Sequence, residues 1–270
     1  YYQDNQEQIE NVNWIKLTEN TYQFNAPNLE NRPLVIDPEI VFASFTGSNS
    51  NNFGFSATYD RQGKFYLAGI SFGGNYPTTL GAFETEFPGG QFSVAISCFT
   101  SQGNELIYSS FLGGNSMEIH TSLIVNEFGE LYVLGVTGSS NFPVSSQALQ
   151  NTFMGGSLGQ LLSGGFAVEG SDYFISKISP DGSNILASTF LGGTSNEGLE
   201  LLNNNNAMIP LYGDQSRSEI LMDKQNQIVV VGYSQSSDFP TTENAYQPTT
   251  LGDMSRGVIA KVSPDLSTIL

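Results

Sequence analysis

Five acidic residues invite a chemical reading: Glu118, Glu169, Glu197, Glu200 and Asp214. Two carboxyl groups held roughly 5 to 9.5 Å apart across a sugar suffice for glycoside hydrolysis, one acting as acid and the other as nucleophile or base. All five stand in connecting segments that differ from one stretch of chain to the next. In a chain with 26 acidic residues, five in such segments is expected without any catalytic role. Metal chemistry is narrower still. Imidazole and thiolate are limited to His120 and Cys98, so a bound ion would be an oxygen-liganded one such as calcium. No Asp-x-Asp-x-Asp loop occurs, however, and Asp60, Asp181 and Asp223 open tight turns, where a carboxylate bonds its own backbone. No cofactor is therefore expected. A Ser-His-Asp site would depend wholly on His120, which opens an apolar strand and reads as structural, as does Cys98. The stretch MGGSLGQLLSGG (154 to 165) has the glycine spacing of a phosphate loop but lacks its lysine. Its apolar centre, Leu158, Leu161 and Leu162, either packs down or presents a patch to a partner.

The elements that hold these residues are constrained by composition. The net charge is −17, yet only 13% of the 270 residues are charged, so most of the polar surface is Asn, Ser, Thr and Gln. A field of that sign, without Lys or Arg clusters, is unsuited to nucleic acid or anionic membrane. No apolar run approaches the ~18 residues of a membrane span, and no membrane insertion is expected. Twenty-nine Gly with 19 Phe and 12 Tyr point to a turn-rich β-protein instead of a disordered acidic segment.

The chain also repeats itself. VFASFTGS (41 to 48), LIYSSFLGG (106 to 114) and ILASTFLGG (185 to 193) align. Phe45 to Gly69 and Phe111 to Gly135 are each 24 residues, and from Gly69, Gly135 and Gly232 to Pro77, Pro143 and Pro240 is 8 in every case. The basic period is 66 residues, with an excess of 13 between Leu149 and Tyr173 and of 18 between Leu199 and Arg217. Each unit reads as four short strands; in the second these are 92 to 99 (A), 105 to 112 (B), 120 to 126 (C) and 130 to 137 (D). Hairpin turns join A to B (SQGN, SPDGSN) and C to D (DRQG, NEFG, DKQN). Tandem four-stranded antiparallel units without helices predict an all-β fold of β-propeller repeats, with about three and a fraction blades in units beginning near 41, 92, 173 and 257. Residues 1 to 40 lie outside the repeat. They read as the tail of another β-domain, with a hairpin around Glu19-Asn20, followed by a proline-bearing linker. Tyr at position 1 and a last unit that stops inside a strand lead us to expect a portion of a longer chain.

The series LVIDP, STFLGG, a strand ending in G-x-(S/T), Ser236-Ser237-Asp238-Phe239-Pro240-Thr241-Thr242, and Lys177-Ile178-Ser179-Pro180-Asp181-Gly182 resembles the SBBP β-propeller repeat family. It is similar in particular to large secreted Bacteroidota proteins that place such repeats after an N-terminal β-domain. The likeness runs over 34 to 270 and is weaker where Cys98 replaces the lysine found at 177 and 261. It implies an extracellular, cell-surface location associated with the outer membrane and export by the type IX route. It implies no reaction, because fold does not give function.

Antiparallel strands alternate the ends at which they connect. The A-B and C-D turns therefore share one face, while the B-C and D-A connections share the other. Both insertions fall on the second face, as do the Leu-Gly-Gly and Phe-Pro segments. Extra chain gathered on one side of a rigid scaffold is what a binding surface looks like. The expected function is thus a non-enzymatic module for binding, adhesion or scaffolding, whose partner is a cell-surface protein or glycan. Candidate residues are Glu118, Leu158, Leu161, Leu162, Glu197, Glu200 and Asp214. A carbohydrate-active enzyme using carboxylates of that face, and a passenger or component of a type IX secretion or surface assembly, are the alternatives.

Overall fold

The computed structural model describes residues 2–3, 6–7, 13–18, 21–25, 42–160, 167–199, 216–249 and 255–270. Leu161, Leu162, Glu200 and Asp214 lie outside the described residues. The chain divides into two compact units, Tyr1–Ala43 and Ser44–Leu270. Among the described residues there is no α-helix; all regular structure is β.

The first unit contains two small ribbons. Strands β1 (Tyr2–Gln3) and β2 (Gln6–Glu7) form one. Strands β3 (Asn13–Thr18) and β4 (Thr21–Asn25) form the other, pairing Trp14 with Phe24, and the expected turn at Glu19-Asn20 lies outside the described residues.

The second unit is a series of antiparallel sheets. Strands β5 (Asn52–Tyr59), β6 (Phe65–Ser71), β7 (Ser93–Phe99) and β8 (Leu106–Leu112) form the first, in that order. In the second, β9 (Glu118–Val125) and β10 (Leu131–Thr137) are followed by the ribbon β11 (Leu158–Gln160) and β12 (Ala167–Glu169), then by β13 (Asp172–Ile178) and β14 (Ile185–Leu191). The sheet order is β9-β10-β13-β14, and the ribbon stands apart from it. The third sheet has three strands, β15 (Glu219–Met222), β16 (Ile228–Ser234) and β17 (Arg256–Val262). A single bridge from Val262 to Ile269 begins a fourth.

The strand positions follow the repeat, but the sheets do not begin where the sequence units do. Each sheet runs C-D-A-B, joining the C-D hairpin of one unit to the A-B hairpin of the next: Ser71 pairs with Ser93, and Thr137 with Asp172. A periodic sequence carries no mark of phase; the D-A pairing sets it. Residues 42 to 48 of the block aligned with strand B are not in a strand, and among the described residues no A-type strand pairs with them. Phe45 is 97% exposed, whereas its counterparts Phe111 and Phe190 are sealed at 0% and 1%.

Packing explains the apolar pattern. Along β10, Leu131 and Val133 join a cluster with Tyr66, Ile96, Phe174 and Phe190, while Tyr132, Leu134 and Val136 join another with Tyr173, Ile220 and Val230. The second sheet is thus buried on both faces, between the first and the third, and β10 shows no polar alternation. Phe142 lies 4.4 Å centroid to centroid from Phe174, anchoring the Phe-Pro segment on the sheet. β9 carries a one-residue bulge opposite Leu134 and Gly135, and glycine is needed at 135 because a methyl there would stand 2.4 Å from the Ile119 carbonyl oxygen and 2.5 Å from the Phe174 ring.

Turn chemistry is local. Oδ1 of Asp60 accepts from Gln62 and Lys64 N–H, each at 2.9 Å, Asn126 does the same for Phe128 and Glu130, and Asp223 for Gln225 and Gln227. The third turn residue takes positive φ: Gly63, Gly129 and Asn226. Lys177 bridges to Glu130 at 2.7 Å and Lys261 to Asp223 at 2.6 Å. Cys98 stands at the equivalent place in the first sheet, and there the Tyr66 hydroxyl donates to Asp60 instead.

Candidate functional site

The Leu-Gly-Gly segments and the two glutamates after them form one recurring device. Glu118 and Glu197 follow Phe111 and Phe190 by 7 residues, and the first unit has Asn52 there. Both glutamates are 0% exposed. Oε1 of Glu118 accepts from the Thr137 hydroxyl at 2.9 Å and from Ser139 at close range, and Oε2 accepts from Ser93 at 3.4 Å. Oε1 of Glu197 accepts from Ser234 at 2.7 Å and, closely, from Ser236. Glu118 therefore ties the start of β9 to the end of β10, and Glu197, which bridges Ser234, ties the segment ahead of the insertion to the end of β16. The paired glycines make room for it: a methyl on Gly114 would stand 2.5 Å from the Ser139 Cβ, and one on Gly193 2.5 Å from the Ser236 Cβ.

Burial pushes the Glu118 carboxyl above its ordinary range, although its hydroxyl and Gly114 amide donors oppose the shift. Glu197 is raised to about 8, again by burial, with the nearby Asp172 carboxyl adding to it. Neither acid is placed to meet a ligand. Their recurrence at a fixed offset, opposite a Thr/Ser-x-Ser at the end of strand D, was the available sign of a buried role.

His120 and Cys98 are likewise sealed, at 1% and 0% exposure. Desolvation lowers the imidazole to about 3 and raises the thiol to about 11, so at neutral pH the ring is uncharged and the sulfur is a thiol.

The insertion supplies what the glutamates do not. In the ribbon, Leu158 opposes Glu169, and both are exposed. These two residues border a cleft of about 450 Å³ whose other walls are Gly90, Gln91, Asn115, Ser116, Gly138 and Ser140. Two D-A connections, one B-C connection and the insertion ribbon converge there, all at the end of the sheets opposite the tight turns. The lining offers amide, hydroxyl, carboxylate and exposed backbone around one leucine, suited to a polar, hydroxyl-rich ligand. Gln91, Asn115, Ser116 and Ser140 carried no signal in the sequence, because their convergence depends on how successive sheets stack. Of the sequence candidates that are described, Leu158 and Glu169 line this cleft, while Glu118 and Glu197 lie beneath the same face. Asp172, which the sequence reading did not single out, is the buried neighbour of Glu197.

A second concavity of about 480 Å³ follows the edge of β17, bordered by Phe239, Tyr246 and Leu270. In the other sheets that edge is covered by β8 or β14.

Among known proteins, the chain matches no family model and no curated sequence.

Proposed function

We propose that residues 44–270 are consecutive blades of a β-propeller and that the chain is a binding module of the cell surface, taking a glycan or glycan-bearing partner in the cleft between Ser116, Ser140, Leu158 and Glu169. Two features favour the blade reading. The sheets share the order C-D-A-B, and their C strands lie side by side: β9 touches both β5 and β15, with Thr121 and Ser218 hydroxyls 2.6 Å apart and Ser122 donating to Glu219 at 2.9 Å. Strands of one kind gathered in this way are the inner strands of radially arranged sheets. The resemblance to SBBP repeats supports the same architecture, an extracellular location and type IX export.

The observation that carries the binding reading is the cleft itself, on the face where the extra chain collects. Rigid strands beneath it hold the walls in place, which lowers the ordering cost of binding a flexible sugar. Among the described residues Glu169 is the sole carboxylate in its lining, whereas glycoside hydrolysis ordinarily needs two. The test is binding of the purified chain to a panel of surface polysaccharides and glycans, with Ser116→Trp and Leu158→Asp as cleft variants. Binding weakened at least ~10-fold by both, without release of reducing ends, is the expected result. Binding indifferent to both variants, or sugar hydrolysis lost in Glu169→Gln, would overturn it.

A further inference from the structure

The second and third sheets are joined by the same device as the first and second, with one chemical difference. At the earlier junction the residue facing Oε2 of Glu118 is Ser93, whose hydroxyl has a hydrogen to give. Register places Asp172 at the matching position, since Ser93 pairs with Ser71 and Asp172 with Thr137, each the last residue of strand D. Asp172 and Glu197 are both 0% exposed, and their oxygens converge. A methyl on Gly192 would stand 2.5 Å from Oδ1 of Asp172 and 2.6 Å from Oε2 of Glu197.

Counting donors shows what is missing. Oδ2 of Asp172 accepts from Met154 N–H at 2.7 Å, and Oδ1 from Gly155 N–H at 3.2 Å. Oε1 of Glu197 accepts from Ser234 and Ser236. Oε2 of Glu197 is buried and receives no hydrogen from another described group. Two facing carboxylates in such a place cannot both be ionised without a large cost, and a single proton between them removes it.

We propose that Asp172 and Glu197 hold one proton in common, carried on Oε2 of Glu197 and donated to Asp172, and that this proton fastens the connection at Met154–Gly155 to the sheet junction, which loosens when alkali removes it. Asp172 is the charged member because backbone N–H groups point at it. Glu197 is the acid member because its other oxygen already serves two hydroxyls. Burial raises both acids, Asp172 to about 6 and Glu197 to about 8, in keeping with that assignment. The other titratable groups nearby are Tyr173, whose hydroxyl donates to the Tyr233 carbonyl, and the exposed Asp238, which accepts from Thr194 N–H beside Gly193. Among the described residues, the side chains bonded to Glu197, Ser234 and Ser236, are neutral, and no cation is among the groups acting on either acid. The connection so fastened leads directly into Leu158 and the ribbon.

The sign of the pH effect follows. A carboxyl raised in the folded chain keeps a proton that the unfolded chain gives up. Its contribution is complete below the unfolded value near 4.5 and is lost as pH rises through about 8. Glu197→Gln reproduces the protonated form, with a carbonyl oxygen for the two serines and an N–H for Asp172.

The experiment compares unfolding and amide exchange of the wild-type chain and Glu197→Gln between pH 6 and 9. Relative to the variant, the wild-type unfolding constant should rise at least ~10-fold, and protection of the Met154 and Gly155 amides should fall by a similar factor. Equal pH dependence in the two proteins would overturn the proposal. Infrared spectra of Glu118→Gln, which removes the other buried carboxyl raised by its surroundings, provide a second readout that does not need the Glu197 variant to fold. A protonated-carboxyl band present at pH 7 and gone by pH 9.5 is expected, and its absence at pH 7 would also overturn it.

Discussion

Replacing Glu118 tests the claim that the glutamate after Leu-Gly-Gly is a structural tie. Glu118→Ala strands the Thr137 and Ser139 hydroxyls, the more distant Ser93 hydroxyl at 3.4 Å, and the Gly114 amide. A buried donor left without its acceptor costs about 1–3 kcal/mol. The Ser93 contribution is small at that length, and hydroxyls can turn toward other acceptors. Removing a buried carboxyl also removes its desolvation cost, which offsets part of the loss. The net expectation is a destabilisation of about 2–4 kcal/mol, or a melting temperature lower by about 10 °C for a unit of this size. Glu118→Gln keeps the shared acceptor and should cost about 1 kcal/mol or less, because its amide still faces the Ser93 oxygen. Since burial raises the wild-type carboxyl, its share of stability falls as pH rises through that shifted value, and the Gln variant should lack that slope. Urea and thermal unfolding followed at several pH values decide the matter. An alanine variant within ~0.5 kcal/mol of wild type, or a Gln variant as damaged as the Ala, would refute the reasoning.

Two further comparisons use the repeat as its own control. Phe190→Ala should lose about 3–5 kcal/mol, since the ring is 1% exposed and packs near Phe142 and Phe153, whereas Phe45→Ala at the equivalent but 97% exposed position should stay within ~0.5 kcal/mol by denaturant melts. Gly114→Ala drives a methyl against the Ser139 Cβ and should cost about 2 kcal/mol or more, while Gly54→Ala, which meets nothing within 4 Å, should lie within ~1 kcal/mol in the same assay.

Much of the fold was written in intervals. The fixed spacing from Phe to Gly to Pro located strands B and D and the segment after D, and the Asp/Asn-led turns located the C-D hairpins. What intervals cannot carry is phase, so the grouping C-D-A-B and the absence of a strand over 42–47 emerged only with the pairing of Ser71 to Ser93 and Thr137 to Asp172. The site was less legible for a different reason. A glutamate beside two glycines in a connecting segment looks solvated, yet the glycines are small so that the carboxyl can be enclosed. Leu266 shows the limit of turn rules as well. It takes positive φ where Gly103 and Gly182 stand in the other A-B turns, because its fully buried side chain joins the core between the second and third sheets.

These buried acids and the open cleft are parts of one arrangement. Ser139, which donates to Glu118, also accepts from the Ser116 N–H at 2.8 Å, and Asn141 accepts from the Asn115 N–H at 2.9 Å. Ser116 and Asn115 line the cleft. At the next junction Ser236 holds Ser195 and Asp238 holds Thr194 in the same way, with Glu197 beneath. The B-C connections are therefore fixed to the ends of D strands by hydroxyls whose orientation a buried glutamate dictates. Glu118 bears on the cleft wall only through Ser139 and Ser116 above it. Residue type alone pointed to carboxylates that sit under the surface, whereas the amides and hydroxyls they orient carry no mark in the sequence.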